Sequence, residues 1–554
     1  MAKTVLTATQ RLSSLLQLDK KDIKQIIFYA IFAGIVSLSL PLGIQAIINL
    51  IQGAQISTSW ILLVVLVTLG TAFVGALQLM QMRILENVQQ KLFTRSSFEF
   101  AYRFPKIKMS ELSDYYPPEL ANRFFDTLTI QKSLPKILID FPAAALQITF
   151  GLLLLSFYHP FFIIYGVLLI FLVYLVFRFT AQKGLDTSLD ESKQKYKVAH
   201  WIQEIARAIT SFKLSGQTSL ALEKNDKLVV NYLKARESHF RILVLQFIQM
   251  IGFKVLVTAG LLIIGGILVI NQQMNIGQFV AAEIIILLVI SSVEKLITGL
   301  ESIYDVLTSL EKIGQVVDRD LEPQGGDKPL DINTPLSVEL QDVSYVGTSG
   351  KKILEDVSLT IESGHNYIIQ GPQGSGKTTL LRLVAGIYEP KNGEIFINDR
   401  SLRSIHLNHY RSYVGQSLNE ESPFEGTLWE NLTFGDSSLS EKDIQWALAN
   451  TGLNDFVKNQ DKGLQTVLYP EGRQIPYTIS KKIVLARSII RRPKLLILKD
   501  PLDHFSEKEA LNLMTFLAGE DRPWTLVVVS QNPKWKQFCN HHILVEDGRV
   551  IKNG

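Results

Sequence analysis

Nine consecutive residues, Gly371-Pro372-Gln373-Gly374-Ser375-Gly376-Lys377-Thr378-Thr379, hold the densest chemistry in the chain, and their spacing follows GxxxxGK[ST]. Glycines at 371, 374 and 376 free the backbone to curl its N–H groups around phosphate oxygens, and a helix starting just after them turns its positive end toward the same anion. In such a loop Lys377 reaches the β- and γ-phosphates, and the Thr378 hydroxyl ligates Mg²⁺. Gly371, Gln373, Gly374, Ser375, Gly376 and Thr379 complete the candidate nucleotide-binding set. The expected cofactors are ATP and Mg²⁺. Context supports the motif, because the β-rich run HNYIIQ leads into it and the helical pattern TLLRLVAGI leads out.

The elements that must position this loop read as an α/β domain over residues 337–554. Short β-rich runs (SVELQDVSY, HNYIIQ, LLIL, TLVVVS) alternate there with helical patterns, as a largely parallel sheet requires. Residues 318–336, rich in Gly, Pro and Asp, form a linker. Upstream, residues 1–317 contain six apolar stretches of the ~20 residues that cross a bilayer. They are Ile27–Ile51, Trp60–Met80, Ile137–Phe157, Phe161–Phe177, Met250–Ile270 and Ile276–Val293. The fold class is thus a multidomain membrane protein, a six-helix all-α transmembrane domain followed by an α/β phosphate-loop domain.

Composition agrees: hydrophobic residues make up 47% of the 554 and charged ones 19%, against about 25% charged in soluble proteins. Connections after spans one, three and five lack Lys and Arg, whereas the others are rich in both, which puts both termini in the cytoplasm of a multi-pass protein of the cytoplasmic (inner) membrane. The long connections near 82–134 and 180–245 read as helices projecting beyond the bilayer. The first 20 residues contain no signal-peptide pattern. A net charge of +4 without dense basic runs excludes nucleic acid as the main partner. The single cysteine, Cys539, excludes an internal disulfide, and no Cys/His cluster has metal-ligand spacing.

Inside the apolar stretches, Lys254 is expected to snorkel to the cytoplasmic interface, and Gln45 and Asn49 to make helix-packing hydrogen bonds. Asp140 is expected at an interface. Glu283 interrupts the sixth stretch. An intramembrane carboxylate faces a cavity or partner, which makes it a candidate for a translocation path, and its place roughly two turns into the stretch leaves a hydrated interfacial position equally open.

Six spans, long cytoplasmic extensions and a C-terminal phosphate-loop domain resemble, over nearly the whole chain, the type I exporter group of ABC half-transporters. That group includes lipid flippases and hemolysin or bacteriocin secretion exporters. LPLGIQAIINLI is similar to its proline-containing first helix, and PPELANRFFD around Glu119 and HWIQEIARAITSFKLSGQ around Glu204 to its two coupling extensions. The resemblance implies that Gln416 in YVGQS helps ligate Mg²⁺. It also exposes departures. Gly347 stands where the group has an adenine-stacking aromatic, with Tyr345 nearby. Ile475, Pro476, Tyr477, Thr478 and Ile479 replace the LSGGQ signature, and Pro476 has no N–H to offer. Lys499 and Asp500 replace the Asp-Glu pair, which puts Asp500 at the catalytic base position, one methylene short. Gln531 stands at the switch histidine, and Asp503-His504-Phe505-Ser506 replaces SALD, with His504 expected at a subunit contact.

By the same resemblance the partners are a second half-transporter, as homodimer or heterodimer, the lipid bilayer, and a periplasmic adaptor protein. Two functions fit these residues. One is a half-exporter subunit with impaired ATP hydrolysis; the other is a catalytically inactive pseudo-transporter acting as scaffold, channel or regulatory partner.

Overall fold

The computed structural model describes residues 7–52, 58–113, 115–327, 334–347, 350–418 and 421–553. Parts of the connection after the first span (53–57) and of the expected linker (328–333) lie outside them. The chain divides into two compact units, Met1–Pro105 with Tyr115–Arg319, and Lys106–Asp114 with Asp320–Gly554.

The first unit is helical: α1 (Ala8–Leu18), α2 (Lys20–Ser37), α3 (Ser39–Gln52) and α4 (Thr58–Arg103) open it. After α5 (Met109–Leu112), which belongs to the second unit, come α6 (Pro117–Ala121), α7 (Asp126–Pro135), α8 (Phe141–Ser156), α9 (Phe161–Arg207), α10 (Ile209–Leu214), α11 (Leu220–Ile270) and α12 (Ile276–Val317). Six helical stretches are long and apolar enough to cross a membrane. The 46 residues of α4 reach roughly 70 Å at 1.5 Å each, more than twice the ~30 Å hydrocarbon core. The expected projecting helices are, in α4, α9 and α11, unbroken continuations of the spans.

Two spans depart from a simple rod. The first splits into α2 and α3 at Leu38, because Pro41 cannot donate to the Ser37 carbonyl and its ring crowds it. The third is preceded by a π-helical turn, Lys136–Asp140, between Pro135 and Pro142.

Packing between helices uses small and polar side chains. A Cβ on Gly184 of α9 would lie 2.4 Å from the Tyr304 ring of α12, so only glycine admits that contact. The Tyr304 hydroxyl accepts from Gln246 Nε2 of α11 at 3.0 Å, and the same amide donates to Thr180 Oγ1 of α9 at 3.0 Å. Gln45 Oε1 accepts from the Tyr158 hydroxyl at 2.6 Å, the expected helix-packing bond. The Lys254 ammonium, expected to snorkel, pairs with Glu294 of α12 at 2.6 Å. Glu283 is half-buried on α12 and has no ion pair among the described residues.

The second unit holds two main sheets. β1 (Val338–Val346), β2 (Lys352–Ile361), β4 (Asn392–Ile397) and β5 (Arg400–Ser401) form an antiparallel sheet in the order β2-β1-β4-β5. β3 (Asn366–Gln370), β6 (Val414–Ser417), β9 (Leu495–Lys499), β10 (Thr525–Val529), β11 (His541–Glu546) and β12 (Arg549–Asn553) form the other, ordered β12-β11-β3-β10-β9-β6. It is parallel except for β12. β7 (Gly426–Thr427) and β8 (Val467–Leu468) pair separately.

Helices α13 (Lys377–Val384), α14 (Leu407–Ser412), α15 (Leu428–Thr433), α16 (Glu441–Thr451), α17 (Asn454–Lys458), α18 (Tyr477–Ile489) and α19 (Glu507–Leu517) complete the unit. All five residues of β10 are buried, as a central strand covered on both faces requires. One apolar cluster unites α13 with both sheets, and a second gathers α18 and α19 around Trp524 and Trp535. The segment Lys106–Asp114 packs here as well: Ile107 pairs antiparallel with Leu321, and the Lys106 carbonyl accepts from Glu322 N at 2.8 Å.

Two outcomes follow from this packing. Trp524 is 2% exposed and its indole N–H donates to the Leu517 carbonyl, so Trp524→Ala is expected to destabilise the second unit by about 3–5 kcal/mol, read as a lowered unfolding midpoint of the full chain. Burial pushes the Cys539 thiol up to about 12, so it carries almost no thiolate near neutral pH. A maleimide should leave the folded protein unmodified and label it once unfolded; rapid labelling of native protein would contradict the packing.

Candidate nucleotide site

Register assembles the site. Val529 of β10 lies beside Ile369 of β3 and Lys499 of β9, so the carboxyl ends of three parallel strands finish side by side. Ligands of open α/β sheets bind beyond such ends. The chain leaves β3 through Gly371, whose φ is +149° and whose added Cβ would fall 1.9 Å from the Val545 carbonyl oxygen of β11. A glycine is obligatory there. Gly548 N–H, in the β11–β12 turn, donates to the Ser375 carbonyl at 3.2 Å and holds the loop from the other side.

Gly376, with φ +99°, caps α13 without a side-chain hydrogen bond, so no N-cap side chain occupies the N–H groups of the first helical turn. The Lys377 ammonium donates to the carbonyls of Gly371 (2.9 Å) and Pro372 (2.6 Å) and to Ser375 Oγ (3.2 Å). The loop thus closes around its own lysine. Burial holds Lys377 below the usual lysine range; Asp500 pulls it up and Lys499 pushes it further down.

Beyond the loop lies a cavity of about 750 Å³ that brings Gly371, Gln373, Gly374, Ser375, Gly376, Lys377, Thr378 and Thr379 together with Lys499, Asp500 and Gln531. Ile353 and Asp503 also line it. Nothing in the sequence singles out Ile353, which comes from a hairpin well upstream of the loop. Asp500 has left the strand: its φ is +42° and its N–H donates to the Val529 carbonyl at 2.8 Å. Its side chain is therefore placed by this turn and not by strand alternation.

Other expected members lie elsewhere. Gln416, assigned by resemblance to nucleotide and Mg²⁺, does not line this cavity. It lines a separate one of about 180 Å³ beside the Arg487–Glu421 ion pair (3.0 Å). The cause is strand order, because β6 lies three positions from β3, about 14 Å at the usual strand spacing. Gly347 sits in the turn after β1, its N–H bonded to the Lys351 carbonyl, and Tyr345 stacks on Tyr388 at 5.0 Å and 7°, so that ring face is taken. Pro476 caps α18, Thr478 follows in its first turn, and Tyr477 is exposed at its start with the His504 ring edge-on at 5.3 Å.

A triphosphate fits what is present: an uncapped helix start, a loop in which a Cβ would clash, and ammonium groups from both Lys377 and Lys499. Mg²⁺ does not fit. In nucleotide sites it is held by substrate phosphates with one or two protein carboxylates, whereas here Thr378 and Asp500 share the cavity with the Lys499 cation, which repels it, and Gln416 lines a different cavity.

Comparison with known proteins places these two units. Residues 25–293 match the ABC transporter transmembrane region, and residues 354–503 match the ABC transporter cassette model. An ATP-dependent lipid A-core flippase of Paraburkholderia xenovorans is 27% identical over 292 residues, 51% of this chain and 48% of that protein. An uncharacterized ABC transporter ATP-binding protein, YfiC of Bacillus subtilis, is 27% identical over 258 residues, 47% of this chain and 41% of that protein. The chain thus spans about half the length of the curated relatives it matches. A bacterial Atm1-family ABC exporter solved with ATP bound superposes with a TM-score of 0.84 at 15% identity, covering 97% of this chain and 95% of that one, which shows the fold. With an ABC transporter transmembrane region and an ABC transporter domain matched in order along one chain, the protein belongs to the ABC transporter family, and its fold is that of the ABC exporter on which it superposes.

Proposed function

We propose that this chain is one subunit of a membrane exporter that binds ATP at Gly371–Thr379 and hydrolyses it poorly. The observation that carries the reading is the end of β9, where Lys499 and Asp500 share the phosphate cavity with Lys377. Lys377 and the first turn of α13 bind and orient the phosphates. ATP, when bound, supplies the energy that draws two cassettes together. Asp500 is the candidate base, and a reacting water misplaced by ~1 Å loses on the order of 100-fold in rate. Mg²⁺ takes no part in this reading.

A second subunit is required, because in this family each site pairs one phosphate loop with the other subunit's signature. A homodimer carries the departures in both sites. In a heterodimer the partner's loop meets Ile475–Ile479 of this chain, whose Pro476 withholds an N–H and whose Tyr477 adds a bulky ring. That feature favours a second reading, a scaffold, channel or regulatory pseudo-transporter, with a periplasmic adaptor as a further partner. The charge asymmetry of the connections supports a cytoplasmic (inner) membrane location with both termini in the cytoplasm. Glu283 keeps its place as a candidate on the translocation path. The substrate is open.

Three measurements on the full-length protein in lipid test this. ATP should bind with an affinity that changes less than about threefold when EDTA replaces Mg²⁺, and Lys377→Ala should weaken it at least about tenfold. Gly371→Ala should do the same, because its Cβ collides with Val545. Turnover should stay near the background of Lys377→Ala; ordinary exporter turnover that stops in Lys377→Ala would show the hydrolytic reading to be wrong. Full activity of Lys377→Ala in cells would favour the scaffold.

A further inference from the structure

The cytoplasmic ends of the long helices enclose a second cavity of about 810 Å³ within the first unit, lined from the segment around α6 and from α9, α11 and α12. Five cations line it (Arg123, Lys193, Lys197, Lys224 and Lys312) against two carboxylates, Glu119 and Glu204. Both carboxylates are already engaged. Glu119 takes Arg123 Nη2 at 3.0 Å and lies 3.2 Å from His200 Nδ1, and Glu204 chelates Arg207, which lies outside the lining. Glu119 offsets Arg123 within the lining, and an excess of positive charge remains.

Two of these cations are buried. Lys312 is 7% exposed and makes no hydrogen bond or ion pair among the described residues; its ammonium stands 5.4 Å from the Tyr196 ring centroid. Arg123 is 6% exposed, stacks on the same ring at 3.6 Å, and leaves Nε and Nη1 without partners. Asp126, which is not part of the lining, accepts the Tyr196 hydroxyl and attracts both Lys312 and Arg123 from outside the cavity. Buried guanidinium N–H groups without partners are costly unless an anion compensates them. Phosphate offers the several acceptor oxygens that lysine ammonium and guanidinium groups together require.

The position discriminates between sources of phosphate. Tyr196 follows Phe177, the end of the apolar stretch of α9, by nineteen residues, and Lys312 follows Val293 on α12 by the same number. Along a helix that is about 28 Å, whereas headgroups add only ~5–8 Å beyond the hydrocarbon on each side. A headgroup anchored in the bilayer does not reach the cavity. We infer that this cavity is a binding site for a water-soluble, phosphate-bearing anion, held by Lys312 and Arg123 against Tyr196 and gated at its exposed rim by Lys193, Lys197 and Lys224. It is separate from the phosphate loop and does not rest on the nucleotide reading.

The test uses full-length protein carrying Lys377→Ala, which silences the phosphate loop, in zwitterionic lipid nanodiscs titrated calorimetrically with inorganic pyrophosphate. Binding of one pyrophosphate per chain is expected, weakened at least about tenfold by Lys312→Met. Pyrophosphate should also raise the unfolding midpoint, and Lys312→Met should remove that rise. Should Lys312→Met fold poorly, the exposed pair Lys197→Glu with Lys224→Glu serves instead and is expected to weaken binding by a similar factor. Absence of binding, or equal binding by these variants, overturns the site. In nanodiscs rich in phosphatidate the pyrophosphate affinity should be unchanged; competition by that lipid would overturn the assignment to a soluble ligand.

Discussion

The hydrogen bond from Asp500 N–H to the Val529 carbonyl, 2.8 Å long, ends β9 and places the residues above the phosphate loop. It bends the chain into a left-handed turn immediately after Lys499, so the last strand residue and the first turn residue both reach the space above Gly371–Thr379. With the strands held in parallel register, there is no freedom to slide an acid into the place Lys499 occupies without moving β9 against its neighbours. In the proposed reading, phosphate binding and phosphate chemistry rest on different parts of the cassette. The loop's cradle depends on Gly371, Gly376 and the β11–β12 turn, none of which Lys499 disturbs. The chemistry depends on the strand end, where a cation now faces the other cation of the site.

In the first unit the same principle applies with fewer polar groups. Helices of 42 to 51 residues can be this long because intrahelical bonds satisfy the backbone in lipid and water alike. Their mutual positions are fixed by a few close approaches, such as Gly184 on Tyr304 and the Gln246 amide shared between Thr180 and Tyr304. The apolar window of the α4 span is only 6% buried within the chain, which leaves its side chains to lipid or to a second subunit.

Much of this was legible in the sequence where the signal is local. Runs of apolar residues, the contiguous phosphate loop and the strand-like runs around it depend on near neighbours, and the six spans, the α/β domain and the strand–loop–helix at 366–384 appear accordingly. Places where distant segments meet were not legible. Gln416 looks like a site residue by its motif, yet strand order sets it three strands from the loop. Lys254 finds Glu294 forty residues later in the chain. The basic cavity draws on four separated segments, each of which looks like an ordinary charged helix face when read alone.

The short strand-like contact of Ile107 with Leu321 bears on how the molecule is made. Lys106 and Glu322, joined by a backbone bond, are separated by more than two hundred residues of chain. On the ribosome the earlier piece emerges first and must wait while the helices between are synthesised and inserted. The cassette's final shape is therefore a late event of high contact order. A cassette cut from the chain at the linker would lack this strip and leave the edge at Leu321 uncovered.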